Sequence, residues 1–197
     1  MTVKPETVFR TPWFEIGVVD PGPEASGTTD PYYCLIRPNG VIAFVLDRDG
    51  RVALVEQYRP PLGRTTLEMP AGNLDEGENP DQAVAREVLE ETGLVCRRWY
   101  QISQCRLLLH RENVIDYFYV GLDAQITSDQ QTGERGAVRF LHRHRFLELV
   151  KTRQFEQTAA LGGLYLIEKI FGVDPLADDI EAIEAGLDGG HRIGRKG

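Results

Sequence analysis

Three glutamates, Glu87, Glu90 and Glu91, stand close together in a stretch that reads as helix. Glu87 lies three residues before Glu90 and four before Glu91, so a helix carries all three on one face, with Glu87 about 5–6 Å from each of the others at Cβ. Like charges at that spacing repel, and a divalent cation, protonation or basic partners would relieve them. Oxygen ligands with no neighbouring Cys or His favour a hard ion, Mg²⁺ or Mn²⁺, over zinc. Arg86 sits four residues before Glu90 and can hold one carboxylate in a fixed rotamer. Ala85 and Leu89, with Val88 on the flank, are left for packing. A solvated glutamate-rich face is the plain alternative. Against it stands the joint presence of Gly72, Glu78, Arg86 and a helix marked at both ends.

That helix spans residues 79–92. Asn79 can cap its start, Pro80 suits the first helical position, and Gln82 stands where a capping-box partner belongs. Gly93 follows where a left-handed C-terminal cap is wanted. Before the helix, strands at 41–46 and 52–58 flank Asp47-Arg48-Asp49-Gly50 as a hairpin, and a short strand at 65–69 runs into a glycine-bearing loop. An apolar stretch at 13–19 ends in Asp20-Pro21-Gly22-Pro23, and 32–36 reads as a further strand. After the helix come strands at 114–122 and 137–141 and helices at 143–151 and 158–171. Ala160, Leu164, Ile167 and Phe171 form a buried stripe on the last of these. Strands with helices interspersed, but no regular βαβ alternation, predict an α+β fold with a mixed sheet. The expected divisions are an N-terminal strand region at 1–40, a main domain at 41–173, and an acidic then basic, partly disordered tail at 174–197.

The whole chain has 197 residues, 42% of them hydrophobic, enough for one globular domain with a real core. Lys plus Arg number 22 against 30 for Asp plus Glu, a net charge of −8, which argues against nucleic-acid or anionic-membrane partners. An anionic small molecule fits only where metal ions or local arginines offset that charge. No apolar run approaches the roughly 18 residues of a membrane span, and no signal peptide is visible at the start. Cys34, Cys96 and Cys105 show no metal-ligand spacing and read as thiols of a reducing compartment. A cytoplasmic location is expected.

Residues 72–94 resemble a complete Nudix box, G-x5-E-x7-R-E-U-x-E-E-x-G-U with U aliphatic, and every defined position matches. Seven fixed identities and two apolar positions arise by chance on the order of once in a million or less. Glu56-Gln57-Tyr58-Arg59 and Leu67-Glu68-Met69-Pro70-Ala71-Gly72 resemble the ADP-ribose and nucleotide-sugar pyrophosphatase branch of that family. The resemblance implies an α/β/α sandwich on a mixed sheet and Mg²⁺-dependent hydrolysis of a nucleoside diphosphate sugar to a nucleoside monophosphate and a sugar phosphate. ADP-ribose leads, with GDP-mannose, UDP-glucose or a dinucleotide as competitors. It also implies the metal ligands: Glu87, Glu91 and the Ala71 carbonyl, with Glu90 either a ligand or one layer further out. The branch usually carries a proline in a Ser-Pro-Gly-like stretch after the box, whereas residues 105–112 contain none. A nucleotide-sugar sensor that keeps the fold without the reaction is the alternative from another class.

Other residues take roles in the light of that resemblance. Gly72, Glu78 and Gly93 are structural within the box, and Glu90 and Arg86, which holds it, are candidate catalytic residues. Arg59, Glu68 and Glu112 are candidate substrate contacts, with a surface arginine, a loop cap and a solvated turn as their plain alternatives. His110 reads as an isolated exposed or satisfied histidine. Glu134, in the polar stretch 128–136, is the candidate general base, and Asp129 stands behind it. Trp13, Phe14 and Ile16 on the first apolar stretch point to a homodimer formed through the N-terminal strands.

Overall fold

The strands β1 (Glu6–Arg10), β2 (Glu15–Val19) and β3 (Tyr32–Ile36) form an antiparallel sheet of their own in order β1-β2-β3. A computed structural model describes residues 5–22, 31–112, 114–127 and 137–190. The strand β1 was not legible in the sequence, because all five of its residues are exposed and no buried alternation marks it. A parallel bridge between Leu35 and Glu112 ties the small sheet to the rest of the fold.

The main sheet comprises β4 (Gly40–Asp47), β5 (Arg51–Arg59), β6 (Arg64–Glu68), β7 (Ala71–Asn73), β8 (Leu94–Val95), β9 (Arg98–Cys105), β10 (Asp116–Ile126) and β11 (Ala137–His142). Its central path runs β11-β5-β4-β10-β8, with β6 beside β5, β7 beside β4 and β9 beside β10. The β4–β10 pairing is parallel and the others are antiparallel, so the sheet is mixed.

Alternation along β4 sets the layers. Ile42, Phe44 and Leu46 face one core, while Val41, Ala43 and Val45 face another. Helix α1 (Pro80–Thr92) covers the second face through Ala83, Val84 and Val88. The first face is covered by α2 (Arg143–Lys151), α3 (Thr158–Phe171) and α4 (Ile180–Gly190), whose Phe146, Leu164, Ile167, Ile183 and Leu187 join the larger core. The result is the α/β/α sandwich of the expected α+β class. Each such large apolar side chain taken out of water contributes roughly 1.5–3 kcal/mol.

Two expectations need correction. The stretch from Asp174 is not a tail up to residue 190: α4 is folded, with Ile183 and Leu187 fully buried. Tyr100 donates to Asp188 at 2.9 Å, and Arg98 pairs with Glu184. Six acidic residues masked an apolar pair four apart, which is all that a helix lying on a sheet needs. On α1, Ala85 is exposed and packing falls to Ala83, Val84 and Val88 instead. The side that bears Glu87 and Glu91 is therefore also turned toward the protein. Residues 128–136, which hold Glu134 and Asp129, and residues 191–197 lie outside the described residues. Among the described residues no helix is long and apolar enough to cross a membrane.

Candidate active site

Helix α1 is fixed at both ends. The Asn79 side chain accepts from the Gln82 backbone N–H at 3.0 Å and the Gln82 side chain accepts from that of Asn79 at 3.3 Å. Gly93 adopts φ 68° and donates to the Leu89 carbonyl at 2.8 Å. That backbone is left-handed, which a glycine enters without steric cost. Of the glycine-bearing loop expected before the helix, Ala71–Asn73 form strand β7, which pairs Gly72 with Val41 and Ala71 with Ile42, while Gly77 stays in a turn. This pairing presses β7 against α1.

The contact is tight at one point. A Cβ added to Gly72 would stand 1.9 Å from the Glu87 Cδ, so glycine there makes room for a carboxylate. Glu87 is buried; its Oε1 accepts from Arg86 Nη1 at 3.0 Å, and its Oε2 is buried without a hydrogen-bond partner. Glu91, also buried, accepts from Gln57 Nε2 at 2.8 Å and from the Ala71 N–H at 3.0 Å. Glu90 points outward, its side chain 41% exposed, and takes a bond of 3.2 Å from Arg86 Nη1.

Arg86 holds this group together. It donates to both oxygens of Glu78 at 2.9 and 2.8 Å and to the Asn73 carbonyl at 2.9 Å, besides Glu87 and Glu90. Glu78 in turn accepts from the Asp75 N–H at 3.0 Å. The Glu78 bonds lead the effects that push the Arg86 guanidinium well above the usual arginine range, so it stays a cation. One arginine thus spans the start of the box segment and two of the three helix glutamates.

The three carboxylates that the helix spacing places on one face are divided by their partners. Glu87 and Glu90 share Arg86, while Glu91 turns to β5 and β7. Among the described residues no group of three His, Cys, Asp or Glu side chains forms a ready metal cage. The donor set still fits a hard cation at one atom. A buried carboxylate oxygen without a partner carries a large desolvation cost, and Glu87 Oε2 is such an oxygen beside the Gly72 backbone.

Arg59 and Glu68 are brought together across the β5–β6 pair, with bonds of 2.7 and 2.5 Å, and Thr66 donates to Glu68 at 2.6 Å. Burial alone would raise the Glu68 carboxyl, but the bonds from Arg59 and Thr66 together outweigh it and hold it below its usual range. Glu112 is not in a solvated turn. It is buried and takes 3.0 and 3.2 Å bonds from Arg37, which also reaches Asp116 at 2.9 Å. Asp116 Oδ1 in turn occupies the space a Cβ at Gly40 would need, at 2.4 Å. An open cleft of about 530 Å³ runs beside β7, lined among others by Ala71, Gly72, Asn73, Leu107, Leu108 and Asp116. The His110 carbonyl accepts from the Tyr32 hydroxyl. Sequence reasoning assigned no role to Gln57, Arg37 or Asp116. Only the alternation that turns Gln57 to the α1 side of β5 could have singled out the first, and nothing local marks the other two.

A mixed sheet between helices, with an arginine clamp over glutamates on the helix that covers its second face, defines the class. Residues 36–161 match the NUDIX domain, and the chain belongs to the NUDIX family. It is 33% identical over 97 residues to a methanol dehydrogenase activator of Bacillus methanolicus, covering 49% of this chain and 52% of that protein. An ADP-ribose pyrophosphatase of Bacillus subtilis is 38% identical over 66 residues, 34% of this chain and 36% of the relative. An ADP-sugar pyrophosphatase of Mus musculus is 55% identical over 42 residues, 21% and 19% of the two chains. The matches thus span about half or less of each relative's length. Among solved structures, an ADP compounds hydrolase superposes with a TM-score of 0.69 at 20% identity, covering 85% of this chain and 92% of that one. That likeness speaks to the fold.

Proposed function

We propose that this chain hydrolyses the diphosphate bond of a nucleoside diphosphate sugar, with ADP-ribose as the leading substrate and Mg²⁺ as the cofactor, Mn²⁺ serving in its place. The observation that carries the reading is the buried, unpartnered Glu87 Oε2 set against Gly72. Glu87, Glu91 and the Ala71 carbonyl would hold the ion, and Glu90 would hold it directly or through water. The bound ion would supply charge stabilisation on the diphosphate oxygens and lower the cost of activating water. Arg86 keeps Glu87 and Glu90 in place and, by staying cationic, reduces their mutual repulsion. Arg59, half exposed beside Glu68, would meet the anionic substrate, with Glu68 fixing its direction. Glu112 would contribute through Arg37, and Glu134 would take the proton from the attacking water. The names of two relatives, an ADP-ribose pyrophosphatase and an ADP-sugar pyrophosphatase, support this substrate class.

We also propose a homodimer formed through the small N-terminal sheet, where Phe9, Trp13 and Tyr33 are each more than half exposed. Nucleic acid and membranes are not among the proposed partners, and the cytoplasm is the proposed location.

The test is kcat/KM with Mg²⁺ for ADP-ribose, GDP-mannose, UDP-glucose and NADH, with products identified. ADP-ribose is expected to lead and to give AMP and ribose phosphate. Tight binding with no turnover under any divalent metal would overturn the hydrolase in favour of the sensor. In the same assay Glu134→Gln is expected to lower kcat by about 10²–10⁴-fold, as removal of a general base does. A loss below tenfold would return that role to Glu90 or Glu112.

A further inference from the structure

Gln57 stands on β5, four residues after Ala53, whose side chain packs in the core beneath α1. Strand alternation therefore turns Gln57 to the same face. There it is buried, 8% exposed, and its amide nitrogen lies 2.8 Å from Glu91 Oε1, although the two residues are 34 apart in the chain. An ionised carboxylate only accepts hydrogen bonds, so the Gln57 amide must present its NH₂ group to it. The strand is held in register here: Gln57 pairs with Thr66, whose hydroxyl donates to the Gln57 carbonyl at 3.2 Å.

The second Glu91 oxygen accepts from the Ala71 N–H at 3.0 Å. Gln57 and Ala71 thus meet the carboxylate from two strands, both through neutral amides. Neutral donors fix the direction of a carboxylate and leave its negative charge in place. A lysine or arginine at position 57 would fix it equally well but would neutralise the charge a cation requires. The contrast with Glu87 and Glu90 lies on the same helix, where Arg86 provides the donors.

We propose that Gln57 is the positioning residue for Glu91: it orients the carboxylate for a divalent cation through a neutral hydrogen bond that does not compete with that cation. This rests on the reading of Glu91 as a cation ligand. Groups one layer behind a metal ligand change metal affinity or activity by roughly 10–100-fold when removed.

Two variants test it. Gln57→Met keeps the length and packing but loses the donor, and Gln57→Glu sets a second carboxylate against Glu91. Mn²⁺ binding is measured directly by electron paramagnetic resonance, thermal unfolding is measured in EDTA, and turnover of ADP-ribose is measured across Mg²⁺ concentrations. Both variants are expected to weaken Mn²⁺ binding by about 10–100-fold and to raise the Mg²⁺ concentration for half-maximal rate by the same factor. The KM for ADP-ribose at saturating Mg²⁺ should stay within about twofold, and Gln57→Met should unfold in EDTA as the wild type does. Unchanged Mn²⁺ affinity in both variants overturns the proposal. So does a shift confined to the substrate KM, which would make Gln57 a substrate contact, or an affinity loss that only follows lowered unfolding temperature. A wild-type protein that binds no Mn²⁺ would overturn the metal reading itself, and this inference with it.

Discussion

Glu87→Gln is expected to lower kcat for ADP-ribose, the proposed substrate, by about a thousandfold or more, equivalent to about 4 kcal/mol of transition-state stabilisation, and to leave the fold intact. The substitution keeps the shape of the side chain and removes one charge. Its Oε1 position can still accept from Arg86 Nη1, now at 3.0 Å, so the clamp on Glu78 and Glu90 persists. What disappears is the anionic oxygen at Oε2, buried and without a partner. Without a cation that oxygen is a burden on the fold, since a desolvated charge with no hydrogen bond is costly. In EDTA the variant is therefore expected to unfold at a temperature no lower than the wild type. On adding Mg²⁺ the wild type should gain stability through binding to the folded state, and the variant should not. Retention of kcat within tenfold, together with an unchanged Mg²⁺ response in thermal unfolding, would remove Glu87 from the site.

Gly72→Ala should reproduce that loss without replacing any charged residue. The added Cβ would lie 1.9 Å from Glu87 Cδ and 2.1 and 2.2 Å from its oxygens, so the carboxylate must leave its place. The obstruction meets the far end of a flexible side chain, which can turn away while the strand and helix remain. Gly72 and Glu87 then act as one unit, and a double-mutant cycle exposes the coupling. Gly72→Ala is expected to cost about a thousandfold in kcat, and Gly72→Ala combined with Glu87→Gln no more than about tenfold beyond either alone. Additive losses, each variant multiplying the other's, would show that the glycine serves some purpose other than space for this carboxylate.

The sequence determined the helix and its ends. Asn79, Pro80, Gln82 and Gly93 act on neighbours within a few residues, so their effects do not depend on the rest of the fold. The same holds for the β4–β5 hairpin and for helices α2 and α3, whose ranges were legible from turns and apolar spacing. It is also why Arg86 could be paired with Glu90 from spacing alone. The mixed sheet and the sandwich followed from the order of elements and the resemblance carried by the box. Where local pattern was thin, elements escaped: β1 is wholly exposed, β7 is three residues long, and the two buried apolar residues of α4 stand among acidic ones.

Tertiary structure alone decided how the three glutamates divide. Helical periodicity puts them on one face but does not say how that face is turned against the sheet. The packing of Ala83, Val84 and Val88 rotates α1 so that Glu87 and Glu91 go inward and Glu90 stays half exposed. It decided that Gln57 meets Glu91, and that Arg37 meets Glu112 across 75 residues, because pairings at such separations depend on which strands lie side by side. It also gave Gly72 its reason. No backbone strain calls for glycine there; the need is steric, created when β7 pairs with β4 and lies against a carboxylate of α1. Short-range chemistry is written in adjacent residues, whereas the space left between two elements exists only after both have packed.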